Sequence, residues 1–318
     1  MENNKTEQSN FFVKLSLTTV MLTLGLIVFG AVVRVTDSGL GCGNDWPLCD
    51  GRIVPPLDNV TAWIEWSHRL FAALIGVFGL WMLGVAWRSY RRRHSGVLNI
   101  TAIAAGIFVL QSALGAFVVI YDLPPTMVTL HLGTAMLLLG ALLMAAVMAW
   151  HRPPPEPTGR DSVTALAYIT AALTLVIILT GTLVRGSGAT LACADWPLCN
   201  GQVLPFSQGT LETVHMMHRY AVLGLGLTQL MLVYYVLKMR ANPITRRLTV
   251  AAFVVYLMQA GVGALYVFSE AAAIWGAAHV GMAAVTWALL VAVCTVDTLD
   301  GLSSENQEQK ELTWQAQS

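Results

Sequence analysis

Long apolar runs alternate with short polar segments along the whole 318-residue chain. Each of eight such runs is at least as long as the about 20 residues that a helix needs to cross a membrane. They are residues 13–35, 63–87, 97–121, 127–150, 162–185, 211–237, 248–268 and 274–297. A membrane β-barrel would instead show segments of about ten residues with alternating polarity. The pattern therefore predicts an all-α integral membrane protein with eight transmembrane helices.

The second half of the chain repeats the first at a nearly constant offset. GAVVR corresponds to GTLVR, DWPLCDG to DWPLCNG, and HLGTAM to HVGMAA. Because each half contributes an even number of helices, both copies cross the membrane in the same sense. We predict two tandem four-helix bundles related by a pseudo-twofold axis along the membrane normal. The predicted domains are 1–150 and 162–297, joined by a cytoplasmic linker at 151–161 and followed by a disordered tail at 298–318.

The composition also favours a membrane protein and indicates its orientation. Hydrophobic residues make up 56% of the chain and charged residues 11%, against about 25% charged in a soluble domain. The formal net charge is zero, which gives no general attraction to nucleic acid. Basic residues concentrate in the loops after the second, fourth and sixth runs. The positive-inside rule then predicts that both termini are cytoplasmic, in a bacterial plasma membrane, with the first run as an uncleaved helix.

Each of the two long loops on the predicted outer side contains a cysteine pair. Cys42 and Cys49 lie in the first loop, and Cys193 and Cys199 lie in the second. The outer side is the oxidising one, where disulfides persist. Each pair is therefore a disulfide candidate, with four free thiols as the alternative. The spacings exclude a CxxC redox motif and resemble no zinc motif.

Four histidines occupy matched positions in the repeat, His68 and His131 in the first half and His218 and His279 in the second. All lie at a similar shallow depth below the outer surface, and an ionisable residue within a membrane helix is a functional candidate. Bare zinc or iron would need further ligands, whereas a haem supplies four nitrogens and needs only two imidazoles. The pattern favours one haem pocket in each half over four packing histidines.

The two predicted pockets differ at one position. Glu65 lies three residues before His68, and the matched residue before His218 is His215. The spacing i, i+3 places each pair on one helix face. A buried carboxylate can serve as a general acid or base, or stabilise a cation. We therefore predict a catalytic N-terminal pocket and a permanent haem in the C-terminal one. The alternative is that Glu65 only pairs with a nearby arginine.

Four arginines lie near the outer helix ends in matched positions, Arg34 with Arg185 and Arg69 with Arg219. Arginine binds a carboxylate through two parallel hydrogen bonds, so all four are candidates for contact with haem propionates. The alternative is that their side chains extend toward the membrane interface. Arg34 and Arg69 are also the arginines with which Glu65 would pair.

With these features the sequence resembles the haem A synthase family over about residues 13–297. The resemblance rests on the duplicated architecture, the paired histidines, the first cysteine pair and an ExxHR motif that begins at Glu65 and ends at Arg69. It implies an oxidoreductase of cytochrome oxidase assembly. Such an enzyme oxidises the C8 methyl group of haem O to a formyl group through hydroxylated intermediates.

The resemblance also implies a role for each matched histidine. His68 and His131 would hold the substrate haem O, with Glu65 essential to the chemistry, and His218 and His279 would ligate the iron of a haem b that passes electrons. The outer-loop pair, Cys42 and Cys49, would serve activity or stability.

The implied partners are haem O, the haem O synthase that supplies it, membrane lipid and an unidentified electron acceptor. Nucleic acid is not expected, and the sequence leaves homo-oligomer formation open. The strongest alternative function is a dihaem b-type cytochrome for quinol-linked electron transfer. A thiol-oxidising membrane protein and a transporter are further alternatives. The transporter is disfavoured because the buried polar residues cluster at one depth.

Overall fold

The computed structural model describes residues 2–92, 95–152, 154 and 160–315. Within these residues it contains eight long α-helices and a short 3-10 turn at Ala189–Leu191. The helices are α1 Glu2–Val35, α2 Val60–Tyr90, α3 Ser95–Ile120, α4 Pro125–Trp150, α5 Ser162–Gly186, α6 Thr210–Met239, α7 Pro243–Phe268 and α8 Ala273–Gln315. All eight are long and apolar enough to span a membrane. The predicted all-α, multi-pass membrane protein is confirmed.

Helices α2, α4 and α7 begin a few residues before their apolar runs, and their first turns are capped by polar residues or contain proline. The Asn59 side chain accepts a hydrogen bond from the Ala62 amide at the start of α2. Asn242 caps α7 in the same way, and Asp161 caps α5, which begins at its predicted residue. Such caps satisfy backbone N–H groups that have no partner within the helix. They lie outside an apolar window, so hydropathy places the helix ends too far inward.

Helix α8 continues to Gln315, so the prediction of a disordered tail from residue 298 is wrong for the described part of the chain. Polar contacts hold this extension. Asp300 accepts a hydrogen bond from Asn242 at 2.7 Å, and Glu305 pairs with Arg160 at 2.8 Å. Residues 316–318 lie outside the described residues, as do 153 and 155–159 of the predicted linker.

The helices are arranged as two sets of four, which we call the N-terminal half (α1–α4) and the C-terminal half (α5–α8). In each half the first helix contacts the second and fourth, and the third contacts the second and fourth. The halves meet through α4 with α8, α1 with α8, and α4 with α5. The contacts within α5–α8 therefore match those within α1–α4, helix for helix. The pseudo-twofold axis and the domain limits themselves stay predictions.

Helices α4 and α8 form the centre of the protein and are the most buried of the eight spans. Small residues such as Ala141, Ala145 and Ala149 are buried along α4. Helix association in lipid depends on close packing rather than on the exclusion of water, and small residues allow it. The Trp287 indole on α8 donates a hydrogen bond to the Met136 carbonyl on α4 at 2.8 Å. The two halves therefore share one core.

A buried ionic network lies at the end of the bundle that carries the linker, which we call the linker end. Arg240 contacts Asp297 at 2.5 Å and Asp161 at 2.6 Å. Asp297 also accepts a hydrogen bond from the Thr164 hydroxyl at 2.6 Å. The Arg240 guanidinium beside Asp161 lowers the pKa of that carboxyl to about 2. The network joins α5 and α8 to the residue that follows α6.

We expect the Asp297→Asn variant to lower the free energy of unfolding by about 3 kcal/mol, because it leaves a buried guanidinium without one of its counter-charges. The side chains of Arg240 and Asp297 are 3% and 4% exposed. The matched control is Glu305→Gln, which breaks the Arg160 pair in which both side chains are about half exposed. Exposed pairs contribute little. Denaturant unfolding in detergent measures both variants, and equal effects would contradict the assignment.

Candidate functional site

The structure brings the four matched histidines together in two pairs. His68 on α2 lies close enough to His131 on α4 for direct electrostatic interaction, and His279 on α8 is similarly close to His218 on α6. Each lies six to eight residues after the first residue of its helix. Since all four helices start at the same end of the bundle, the two pairs lie near that end. The loops with the cysteines lie there too, and we call it the disulfide end.

Each of these imidazoles packs against a glycine on a neighbouring helix. A Cβ atom added to the glycine would lie between 2.9 and 3.3 Å from Cε1 of the ring. The pairs are Gly30 with His68, Gly115 with His131, Gly181 with His218, and Gly263 with His279. Such distances are too short for an unstrained carbon–carbon contact, for which about 3.5–4.0 Å is optimal. Glycine therefore leaves the room that each ring occupies.

The residues at these two places fit a haem better than a bare metal ion. Among the described residues, no group of three or more His, Cys, Asp or Glu side chains could hold a metal ion. Each half instead offers two mostly buried imidazoles. A neutral imidazole keeps one nitrogen lone pair for a metal, and a haem iron needs two axial ligands.

Glu65 and His215 make the same two contacts in their respective halves. Glu65 accepts a hydrogen bond from the Cys42 amide at 2.9 Å and forms an ion pair with Arg69. His215 Nδ1 lies 3.4 Å from the backbone nitrogen of Cys193, and its Nε2 lies 3.2 Å from Nη2 of Arg219.

The carboxylate suits this position better than the imidazole does. Its two oxygens accept from both donors, whereas a neutral imidazole has one acceptor nitrogen. The pairing of Glu65 with Arg69 is the contact that the alternative interpretation predicted. A chemical role for Glu65 stays a prediction.

The two loops at the disulfide end are built alike. The structure joins Cys42 to Cys49 and Cys193 to Cys199 by disulfides rather than leaving four free thiols. In each loop the second cysteine exchanges two backbone hydrogen bonds with the residue three positions later, which is Arg52 in the first loop and Gln202 in the second. The disulfides therefore close two short loops at the same end of the bundle as the histidine pairs.

Arg69 and Arg219, two of the candidate propionate contacts, are engaged with these loops. Arg69 Nη1 donates to the Leu48 carbonyl at 2.8 Å, and Arg219 Nη1 donates to the Asp195 carbonyl at 2.8 Å. Both guanidiniums thus tie the loop to the helix that carries a histidine. Nε of Arg69 is buried and has no hydrogen-bond partner within the described residues.

The other two candidates, Arg34 and Arg185, lie in the last turns of α1 and α5. Arg185 Nη2 is 3.7 Å from Asp37, and both side chains are exposed, so this pair contributes little to stability. Propionate contact stays a prediction for all four arginines.

The comparisons with known proteins agree with this site. The family model of COX15-CtaA, described as cytochrome oxidase assembly protein, matches residues 13–291. The chain belongs to this family. It is 33% identical to the haem A synthase of Symbiobacterium thermophilum over 304 residues, which cover 89% of this chain and 93% of that protein. It is 32% identical to the haem A synthase of Exiguobacterium sp. strain AT1b over 256 residues, 79% of this chain and 82% of that protein.

A third relative, the haem A synthase of Exiguobacterium sibiricum, is 35% identical over 215 residues, 65% of this chain and 69% of that protein. The resemblance to the haem A synthase family that the sequence motifs indicated is therefore confirmed. Membership places the chain in a family of oxidoreductases of haem A biosynthesis and implies that the protein acts with haem.

In this haem A synthase family member, two contacts at the histidine pairs are not apparent from the sequence. Gln111 lies inside α3, and its Nε2 is 3.3 Å from Nε2 of His131. Thr180 lies inside α5, and its hydroxyl is 3.0 Å from Nδ1 of His218. A signal for Thr180 exists in the repeat, because it directly precedes GTLVR while Phe29 directly precedes GAVVR.

Proposed function

We propose that the protein oxidises the C8 methyl group of haem O to a formyl group. His68 and His131 bind haem O as the substrate, and His218 and His279 hold a haem b. The observation that supports this most is the presence of two mostly buried imidazole pairs of which only one has a carboxylate, Glu65, on the adjacent helical turn. Two haems that only carry electrons would not need that difference.

The C-terminal pair suits a resident cofactor. When bound, haem b supplies a one-electron redox centre through which electrons leave the substrate. His218 and His279 would hold it, with Gly181 and Gly263 setting the positions of the rings. The electron acceptor and the haem O synthase that supplies the substrate complete the proposed set of partners.

In the N-terminal half, Glu65 supplies the charge that the reaction needs. Removing electrons from a methyl group makes its carbon electron-poor, and a nearby carboxylate stabilises that charge or accepts the proton that is released. Water supplies the oxygen atom of the formyl group, and the electrons leave to the acceptor. Arg69 and the Cys42 amide hold the carboxylate in place. The Cys42–Cys49 disulfide keeps that amide close to α2, so the loop positions the carboxylate.

An apolar groove beside His68 suits the isoprenoid tail of haem O. It lies between α1 and α2, has a cavity volume of about 320 Å³ and is lined by Gly25, Phe29 and Phe71 among other apolar residues. The Phe29 ring contacts the His68 ring edge-on, with 6.0 Å between centroids. The groove therefore starts where the substrate would bind, and its lining has the polarity of a hydrocarbon chain.

We expect the Gly25→Leu variant to lower the affinity for haem O about tenfold or more, because the leucine would occupy groove space that the tail needs. Burying one methylene contributes about 0.8 kcal/mol, so losing two of them exceeds the 1.4 kcal/mol that corresponds to a factor of ten. A Cβ at Gly25 itself meets no atom within 4 Å, so the fold should tolerate the change.

Absorbance titration with haem O, and with haem B, which lacks the tail, measures this effect. Gly106→Leu is the matched control, because Gly106 is equally open but lies on α3, away from the groove. Equal losses of affinity for both haems in Gly25→Leu would contradict the assignment of the groove.

The proposed reaction is tested by extracting the pigments from cells that express the full chain together with a source of haem O. We expect haem A in the extract. Recovery of haem O and haem B alone would overturn the proposal and favour the dihaem cytochrome, which performs no chemistry on a haem.

The orientation belongs to the same proposal. We place the linker end and both termini in the cytoplasm of a bacterium, since the basic residues concentrate at that end. The disulfides then face the oxidising side of the membrane. Reporter fusions to each terminus would test this placement.

A further inference from the structure

We infer that Thr180 makes His218 a permanent iron ligand, whereas the ligands of the N-terminal half are built to exchange. The inference rests on the proposed binding of haem by the two histidine pairs. It concerns the hydrogen-bond partner of each ring, which differs between the halves at positions that correspond in the repeat.

In the C-terminal half, the Thr180 hydroxyl fixes the tautomer of the His218 ring. Its oxygen lies 2.8 Å from the Ile177 carbonyl and 3.0 Å from Nδ1 of His218. The hydroxyl has a single proton, and a carbonyl can only accept. The proton must therefore point at Ile177, since otherwise two oxygen lone pairs would face each other at 2.8 Å. Thr180 then accepts from Nδ1–H, and the lone pair of the ring is left on Nε2.

This hydrogen bond orients the His218 ring for iron binding even without haem. Histidines that bind metals usually donate their other ring N–H to a nearby acceptor, which fixes both the tautomer and the orientation of the ring. Gly181 lies under the same ring and limits its position, since a Cβ there would be 3.3 Å from Cε1. The His218 ring therefore loses little conformational entropy when it binds iron.

In the N-terminal half, Phe29 occupies the position of Thr180. A phenyl ring has no oxygen to accept a hydrogen bond, and it meets the His68 ring only through an edge contact. Nδ1 of His68 is buried without a hydrogen-bond partner among the residues that the structure describes. Among the described residues no group fixes the tautomer of His68, so its bond to iron lacks the support that His218 has. Nδ1 of His131 and of His279 is likewise without a partner there, so this support distinguishes His218 from the other three histidines.

The second ligand of the N-terminal half is engaged by a side chain. The Gln111 amide lies 3.3 Å from Nε2 of His131, and its other end bonds to the Thr134 hydroxyl. Whichever end of the amide faces the ring, this hydrogen bond must break before Nε2 can bind iron. Gln111 therefore competes with the iron for His131.

Among the residues that the structure describes, no side-chain hydrogen bond to Nε2 of His279 competes in this way. Methionine replaces Thr134 at the matched position, Met282, so it offers no hydroxyl to orient the corresponding glutamine. Oε1 of that glutamine, Gln259, is buried without a hydrogen-bond partner in the described part of the chain.

The differences at Phe29 and at Gln111 both weaken the binding of iron by the N-terminal histidines. A substrate haem must enter and its product must leave, whereas a haem that passes electrons must stay.

The test measures the rate at which haem leaves the full-length, detergent-solubilised protein for an excess of a haem-binding acceptor protein, followed by absorbance. In a His68→Ala background, which isolates the C-terminal haem, we expect Thr180→Val to accelerate the release of haem b about tenfold or more. The reduced-minus-oxidised spectrum should change as well. Thr174→Val is the matched control, because Thr174 is also buried on α5 but bonds only to the Thr170 carbonyl.

The converse variants test the N-terminal half in a His218→Ala background. With haem B, which has no tail to contact the groove, we expect Phe29→Thr to slow release and Gln111→Leu to speed binding. If Thr180→Val releases haem no faster than Thr174→Val, the inference about His218 is overturned. Unchanged rates in Phe29→Thr and Gln111→Leu overturn its N-terminal part.

The His218→Ala variant separates this inference from the proposed function. Retention of a C-terminal haem in that variant would show that the ligand assignment itself is wrong. Loss of the haem in His218→Ala, combined with an unaffected Thr180→Val, would overturn only the role of Thr180.

Discussion

The Glu65→His variant is expected to bind haem in both halves and to form haem A at a rate at least about 100-fold lower, since general acid–base groups contribute about 10²–10⁴-fold to a reaction rate. The substitution removes the carboxylate and keeps the architecture. The chain itself shows that an imidazole fits this position, because His215 meets the Cys193 amide and Arg219 as Glu65 meets the Cys42 amide and Arg69.

This choice separates chemistry from structure better than an alanine would. Alanine leaves two buried donors without an acceptor, which costs stability whatever the role of the residue. His215→Glu is the matched control. It places a carboxylate in the half where we propose no reaction, and we expect it to leave haem A formation intact.

Haem content and extracted pigments are measured together in cells supplied with haem O. If Glu65→His formed haem A at the rate of the unmodified protein, a catalytic role for the carboxylate would be excluded. Loss of bound haem from Glu65→His would show instead that the residue holds the loop above the site.

The second large effect is expected at a glycine. In Gly263→Ala the new Cβ would lie 2.9 Å from Cε1 of His279, so the ring must move by several tenths of an ångström. Ligand geometry has to be held within about 0.5 Å, and we expect haem b content to fall about tenfold. Haem A formation should fall with it, since electrons could no longer leave through haem b.

Gly261→Ala is the control for this experiment. It lies two residues away on the same helix, and a Cβ there meets no atom within 4 Å. Both variants exchange glycine for alanine in α7, so they share any effect on helix propensity. Difference spectra of the purified proteins measure the haem. Equal haem content in the two variants would rule out the proposed role of Gly263 in placing His279.

The fold was predictable because lipid imposes simple rules. A spanning segment must satisfy its backbone hydrogen bonds internally and must be apolar over its length, so eight apolar runs specify eight helices. The ends follow different rules. Asn59 and Asp161 are polar caps that hydropathy reads as loop. The helix beyond residue 298 depends on Asn242 and Arg160, which are distant in sequence.

The candidate site was predictable to a similar degree. The repeat identified four histidines, and the structure brings them together as two pairs. Their roles stay predictions, as do those of the arginines. The repeat did not reveal which side chains contact each imidazole ring. Gln111 on α3, for example, reaches the ring of His131 on α4.

The sequence by itself determined the number of helices, the duplication, the histidine pairs and the family, because the lengths of apolar runs and the repeated motifs can be read from it directly. The tertiary structure decided which atoms meet across helices. Only there does Thr180 face His218 while Phe29 faces His68. A hydrogen bond depends on distances of a few tenths of an ångström between groups on different helices. No one-dimensional pattern specifies such distances, and they are what can make two nearly identical halves behave differently.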